Sequence, residues 1–208
     1  MNLTANSVTD FLGALASTRP TPGGGSASAL AGAMGAALLA MVGAMPSRRA
    51  PSEADVERLQ EAGRRCGALA EHLVALVDED SVAYDAVSAA YKLAKGSEAE
   101  QALRSERIQA SLRAAADPPL AVVHRAADAA EAAVVIARFG NANAASDVGV
   151  ALELVGAAAR GAKLNVEINA KSLKDLDAAG RLLQDADEAL AACERSLDAA
   201  RAALTAAS

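Results

Sequence analysis

Between Arg19 and Arg48 the chain carries no charged side chain, and the segment opens Pro20-Thr21-Pro22-Gly23-Gly24-Gly25-Ser26 before running through Ala, Gly, Leu and Met to Val42. No other stretch limits the fold as much. Two prolines fix the entry, three glycines admit conformations and close approaches that side chains forbid, and a small-residue helix is expected to follow to about Ala44. A membrane span shares the length and the lack of charge. Here, however, Gly, Ala and Ser dominate, large apolar residues are few, and neither a basic cluster nor an aromatic belt flanks the run. A signal peptide fits worse, since Met1 to Thr9 has no basic side chain. The reading that remains is a packed helix in which Gly32 and Gly35, with Ala29, Ala36 and Ala40 nearby, let neighbouring helices come close at some cost in helix propensity. A phosphate-binding P-loop is rejected, because the Walker spacing ending in Gly-Lys-Ser/Thr is missing and no strand precedes the glycines.

The 208 residues suffice for one domain with its own core, residues 1–208, and nothing in them reads as a linker between two. Ala, Leu, Glu, Asp and Arg dominate, which predicts an all-α, single-domain bundle of long antiparallel helices. With only two Phe, two Tyr and no Trp, the core contributes little area per residue. Packing across subunits is therefore expected to supplement it, giving a homo-oligomer. A formal charge of −6, with arginines spread among acids, gives no electrostatic reason to bind nucleic acid. Cys66 and Cys193 lie far apart without zinc-ligand spacing and read as reduced bystander thiols. No metal site is expected, nor association with a membrane, and a cytoplasmic compartment follows from the absence of a disulfide framework or secretory segment.

Val8, Phe11, Leu12 and Leu15 predict a first helix ending near Ala16. After the small-residue helix, Pro46 to Pro51 forms a break, and Ser52 with Glu53 and Asp55 starts a long helix whose stripe runs from Val56 through Leu73 and Val77 to Tyr84, Val87 and Tyr91. A kink is expected at Asp78 to Ser81. Lys92 to Gly96 is a turn, Glu98 to Ala115 a charged helix, and Asp117-Pro118-Pro119 a restart reaching about Arg138. Gly140 to Asn143 is a turn, Ser146 or Asp147 a cap for a helix to about Arg160, and Gly161 an interruption before Leu164 to Ser172. A charged helix closes the chain from Leu173 to about Ala203.

Polar groups interrupt these apolar helices at few places. Acids in Leu76-Val77-Asp78-Glu79-Asp80 end a strong apolar stripe, so one of them either points inward, where desolvation raises a carboxyl pKa, or all sit on a solvated turn. Asn141, Asn143 and Asp147 offer donors and acceptors suited to a heterocycle edge, or serve turn and cap. Asn165 and Asn169, one helical turn apart, either face a ligand or bond another helix. His72 and His124 lack the partner spacing of a metal site or triad. From the residues alone, the chain is a helical oligomer with a polar pocket.

Taken together, Pro20 to Ser26, Val77-Asp78-Glu79-Asp80-Ser81, Tyr84-Asp85-Ala86-Val87, Lys92-Leu93-Ala94-Lys95, Gly140 to Asp147 and Asn165-Val166-Glu167-Ile168-Asn169 resemble the formiminotransferase-cyclodeaminase C-terminal family, in order along nearly the whole chain. The resemblance implies an all-helical dimer that binds tetrahydrofolate between helices and acts on the one-carbon unit bridging nitrogens 5 and 10. It implies conversion of 5-formimidoyltetrahydrofolate to 5,10-methenyltetrahydrofolate and ammonia, the alternative being the methenyltetrahydrofolate cyclohydrolase reaction. A non-catalytic folate-binding oligomer is the reading from another class. A tetrahydrofolate derivative is then the substrate, no cofactor is bound permanently, and a separate formiminotransferase is a candidate partner. Under the resemblance Asp78, Asp80 and Asp147 become candidate acid/base or pterin-binding carboxylates and Lys92 a candidate for proton transfer or charge stabilisation. Pro22, Gly23, Gly24, Gly25 and Ser26 approach the folate, Asn141, Asn143, Asn165 and Asn169 orient its ring, and Arg48, Arg49 or Lys171 meet the glutamate carboxylates.

Overall fold

The computed structural model describes residues 3–206. Among the described residues there are seven α-helices and no strand: α1 (Val8–Leu15), α2 (Gly24–Ala44), α3 (Glu53–Tyr91), α4 (Glu98–Ala114), α5 (Asp117–Phe139), α6 (Ala145–Lys171) and α7 (Leu176–Ala206), with 3₁₀ turns at Leu3–Ala5 and Ala142–Ala144. The all-helical expectation is met, and most boundaries follow local signals. Ser7, Ser52 and Ser97 precede α1, α3 and α4, and their hydroxyls accept the N–H of Asp10, Asp55 and Glu100. Ser97 and Glu100 complete a reciprocal capping box. Pro118 and Pro119 stand in the first turn of α5, where a missing N–H costs nothing.

Helix α3 runs as one helix through Asp78 to Ser81. Two expectations change. Helix α6 continues through Gly161 to Lys171; a Cβ at this position would lie 2.5 Å from the Ser28 Oγ, so the glycine marks a close helix crossing rather than an end. Neither Ser146 nor Asp147 caps α6, whose N-cap is Ala144 with no side-chain bond.

Helix α2 is the spine, and its glycines define its neighbours. A Cβ on Gly32 would meet Ala158 and Leu73, one on Gly35 would meet Val155 and the Ala151 carbonyl, and one on Gly43 would lie 2.5 Å from the Gly63 Cα. These pairings place α2 antiparallel to both α3 and α6, at a separation that larger side chains would prevent. Helices α5 and α7 complete the bundle, with α7 antiparallel to α6 through Lys163–Asp187 and Arg201–Glu153 ion pairs. Leu39, Val42, Leu73, Ile136, Leu152 and Leu197 fill the centre with many fully buried alanines. Cys66 and Cys193 belong to this core, unpaired, and burial pushes their thiols up to about 12 and about 11, which keeps them un-ionised at neutral pH. By length and composition α2 could cross a membrane. In the bundle its Ala29, Ala36, Leu39 and Val42 are fully enclosed by neighbouring helices.

A second apolar cluster, Ala90, Ile108, Leu112, Ala170, Leu173 and Ala179, seats α4 against the ends of α3 and α6. It braces one end of the bundle, the end where α2 begins.

The Gly43–Gly63 crossing has a measurable consequence. Backbone faces backbone there, so Gly43→Ala finds no flexible neighbour to yield, and overpacking should outweigh the helix-propensity gain, costing roughly 1–3 kcal/mol. Gly180, in α7, has nothing within 4 Å of its added Cβ, so Gly180→Ala should stabilise by up to about 1 kcal/mol. Urea unfolding of the two variants decides this, and equal shifts in both would contradict so close a crossing.

Candidate functional site

At the α2 N-terminus the three glycines and Ser26 form the first turn, with Gly23 at the N-cap, which has no side chain of its own to cap the free N–H groups. Asp80, on α3, lies against that turn. The Ser26 hydroxyl lies 3.0 Å from Asp80 Oδ2 and 2.9 Å from the Val77 carbonyl, to either of which it donates, and 3.2 Å from the Ser81 hydroxyl. The Ser26 N–H donates to the same carboxylate. A Cβ on Gly25 would overlap that carboxylate, so glycine at this position is what allows the acid to reach the helix end. Burial drives the Asp80 pKa above the ordinary aspartate value, and the Ser26 hydrogen bonds pull it only partway back. The result is a carboxyl group held at a helix N-terminus and poised to exchange a proton at higher pH than an ordinary aspartate.

Asp80 opens onto a cleft of about 570 Å³. One wall is Pro20, Thr21 and the glycines; another is the α3 face Asp80, Tyr84, Val87, Ser88 and Tyr91; a third is the α6 face Asn165, Ile168, Asn169 and Ser172; Leu112 and Ala115 close the end. Tyr84 and Tyr91 are half exposed and present rings to the cleft wall. Asn165 donates from Nδ2 to the Gly161 carbonyl at 2.9 Å, and Asn169 from Nδ2 to the Ala115 carbonyl at 2.8 Å. Each amide is thereby fixed by one helix bond, and both side chains still line the cleft. For Asn169, which bonds the end of α4, the two readings are compatible, whereas Asn165 bonds its own helix and lines the cleft.

Other candidates lie elsewhere. Asp78 accepts from the Leu3 N–H at 2.6 Å and the Thr4 hydroxyl at 3.0 Å, on a side of α3 that holds the N-terminal segment rather than the cleft. Two residues along a helix turn a side chain through about 200°, which separates Asp78 from Asp80. Lys92 is the exposed C-cap of α3 and Lys171 an exposed residue in the last turn of α6; neither lines the cleft. Pro22, between Thr21 and Gly23 of that wall, is buried and does not itself line the cleft.

Arg48, Arg49, Asn141 and Asn143 line a second depression, of about 590 Å³, between the loops at the far end of α2. There Asn141 donates to the Pro46 carbonyl at 2.7 Å and accepts from the Asn143 N–H at 3.0 Å, while Arg49 donates to the Ala137 carbonyl at 2.9 Å. Asp147 is in the first turn of α6 at the same end. The 21 residues of α2 separate this cluster from Asp80 by ~30 Å. Within one chain, therefore, the single pocket expected from the sequence is two, one at each end of the bundle.

The sequence reads the face of Tyr84, Val87 and Tyr91 only as a continuation of the apolar stripe. The available signal was the i, i+4, i+7, i+11 spacing from Asp80, which puts the tyrosines on the same face as the acid.

With this geometry in place, comparison with known proteins is unambiguous. Residues 7–188 match the formiminotransferase-cyclodeaminase family, and the chain belongs to it. Among relatives, it is 40% identical over 184 residues to the methenyltetrahydrofolate cyclohydrolase of Methylorubrum extorquens, covering 87% of each chain. It is 35% identical over 169 residues to the formimidoyltransferase-cyclodeaminase of Sus scrofa, covering 79% of this chain and 30% of that longer protein. The crystal structure of formiminotetrahydrofolate cyclodeaminase from Thermotoga maritima superposes with a TM-score of 0.80 at 31% identity, over 97% of both chains.

Proposed function

We propose that this chain is an enzyme of tetrahydrofolate one-carbon conversion that hydrolyses 5,10-methenyltetrahydrofolate to 10-formyltetrahydrofolate, with Asp80 moving the proton. The observation that carries this reading is the partly buried Asp80 carboxyl of α3, held against the α2 N-terminus and lining a cleft walled by two asparagines and two tyrosines. The methenyl group is a cation delocalised over nitrogens 5 and 10, so an ionised Asp80 beside it favours binding. Water attacks the bridging carbon while the carboxylate accepts its proton. The tetrahedral adduct then breaks its bond to nitrogen 5, which takes the proton back from Asp80, while the adduct's hydroxyl releases its own proton to solvent as the carbonyl forms, leaving the formyl group on nitrogen 10. Asn165 and Asn169 supply amide dipoles that orient the ring, and the tyrosine faces stack on it. The chemistry calls for neither a metal nor a redox cofactor.

The second reading is cyclodeamination of 5-formimidoyltetrahydrofolate, supported by the likeness to the Thermotoga protein over the full chain. There nitrogen 10 attacks the formimidoyl carbon, Asp80 takes the nitrogen 10 proton and returns it to the departing amine. A separate formiminotransferase would supply that substrate. Purified protein given each substrate in turn decides between them. Loss of the methenyl near-ultraviolet absorbance faster than spontaneous hydrolysis marks the cyclohydrolase, whereas its appearance with ammonia marks the cyclodeaminase. Folate binding with neither signal refutes both.

The assembly proposed is a homodimer formed through α2. The outward face of this charge-free helix carries Met34, Ala37 and Met41, flanked by Val74 of α3 and Val150 of α6, all exposed. A second copy would cover this apolar strip. Met34 is the midpoint of Gly24–Ala44, so a two-fold axis there runs the two α2 helices antiparallel and brings one copy's Arg49, Asn141 and Asp147 beside the other copy's Asp80 cleft. This would rejoin the two halves of the family motif set. Met34→Glu places two carboxylates at the axis and should give a monomer by sedimentation equilibrium with reduced turnover; an unchanged oligomeric state would refute the α2 interface.

A further inference from the structure

Beyond Tyr91 the Asp80 cleft gives onto a groove of about 480 Å³, lined by Tyr91, Lys95, Gln101, Arg104, Ser105, Ile108, Gln109 and Lys174. Tyr91 belongs to both walls, and the elements are continuous: α4 contributes Leu112 to the cleft and Ile108 to the groove, while Ser172 lines the cleft and Lys174, two residues on, lines the groove. The lining contains three cations and no carboxylate. In a chain of net charge −6, several of whose other arginines pair with acids, that is a local excess of positive charge.

The cations are positioned rather than loose. Arg104 donates from Nη2 and Nε to the Tyr91 carbonyl at 3.0 and 3.3 Å, and its guanidinium lies 5.7 Å from the Tyr91 ring centroid, leaving Nη1 free to donate. Lys174 donates from Nζ to the Ser105 hydroxyl at 2.7 Å and retains two further N–H donors, while its backbone N–H is fixed by Gln109. Lys95 stands across from them, its carbonyl accepting from Gln101. The nearby acids are committed elsewhere: Glu100 accepts the Gly96 and Ser97 N–H groups, and Asp175 accepts from Arg113 and Ala178.

From this we infer that Lys95, Arg104 and Lys174 form the subsite for the carboxylates of the substrate's glutamate tail. The inference rests on the tetrahydrofolate reading of the Asp80 cleft. A tetrahydrofolate has a ring at one end, a benzoyl spacer and an anionic amino acid at the other. Asp80 and Tyr91 are separated by ~16 Å along α3, the scale of that ring plus spacer. With the reacting nitrogens at Asp80, the tail emerges at Tyr91, between the three cations. Arg48, Arg49 and Lys171, expected from the sequence to meet these carboxylates, do not line this path. The role is specificity: the three residues recognise the tail and take no part in proton transfer.

The test is a cycle of two substrates and three proteins. Methenyltetrahydrofolate is compared with methenyltetrahydropteroate, which lacks the glutamate, in the wild type, in the triple variant Lys95→Met/Arg104→Met/Lys174→Met and in the charge-keeping triple Lys95→Arg/Arg104→Lys/Lys174→Arg. The wild type should prefer the glutamyl substrate in KM by about tenfold, more at low salt, with little difference in kcat. The Met triple should lose the preference by raising KM for the glutamyl substrate alone, and the charge-keeping triple should recover most of it. An unchanged preference in the Met triple overturns the subsite. If that protein does not fold, the three single variants carry the same comparison. Calorimetric binding of tetrahydrofolate and tetrahydropteroate separates the two levels of inference: charge-dependent binding without turnover refutes the reaction and supports the subsite, and charge-independent binding with turnover does the reverse.

Discussion

Asp80→Asn should lose turnover by a factor of about 10²–10⁴ while folding normally and melting at a higher temperature than the wild type at neutral pH. The loss is the contribution of a positioned general base. The gain in stability has the same origin, since burial raises the folded pKa of this carboxyl. Above the ordinary aspartate range the unfolded chain releases the proton freely, whereas the folded protein either retains it or carries charge in a desolvated site. Folding is therefore opposed increasingly as pH rises from the ordinary value to the raised one, and the penalty is full above it. Asparagine removes the penalty, so the difference in Tm should vanish in acid, below the ordinary aspartate pKa. In the wild type the acid limb of kcat/KM should lie above that ordinary value. Ser26→Ala, which removes a hydrogen bond to the carboxylate, should move the limb further up. Retained activity in Asp80→Asn, or an acid limb in the ordinary aspartate range, would remove Asp80 from the proton-transfer role.

The contrast between Asp78 and Asp80 shows how far the sequence reached. That an acid at the end of the apolar stripe faces inward was legible from Leu76 and Val77; which acid was not, because the choice depends on where α2 and the Leu3–Ala5 turn pack around α3. Asn165 and Asn169 were legible because a helix aligns residues four apart regardless of its neighbours. Asn141, Asn143 and Asp147 were grouped with them by resemblance, which orders motifs along the chain and is silent about distance. Antiparallel packing of α2 against α3 and α6 sends those motifs to opposite ends of the bundle. The helix start at Ser52 was read correctly, since a capping hydroxyl acts within four residues. Gly161 was misread as an end for the converse reason: its meaning lies in Ser28, far away in sequence.

The same logic makes Gly25→Ala the sharpest test of why three glycines open α2. A methyl group there occupies the position of the Asp80 carboxylate, and the acid must swing into the cleft to avoid it. Helix α2 itself should tolerate alanine in its first turn, where propensity favours it over glycine. The expected protein is folded and about 100-fold less active, because a displacement of even 1 Å at the reacting group has that effect. Once displaced, Asp80 is more solvated, and its pKa should fall back toward the ordinary value, moving the acid limb down as Ser26→Ala moves it up. Gly24→Ala is the control, since its Cβ would sit 3.6 Å from the Asn165 amide in ordinary contact, and most of the activity should remain. In an Asp80→Ala background Gly25→Ala should lose its steric penalty, so the two substitutions are strongly non-additive in Tm. Full activity in Gly25→Ala would mean that the carboxylate does not work from the α2 N-terminus. The glycine run would then have to be explained by packing alone, as Gly32, Gly35 and Gly43 are.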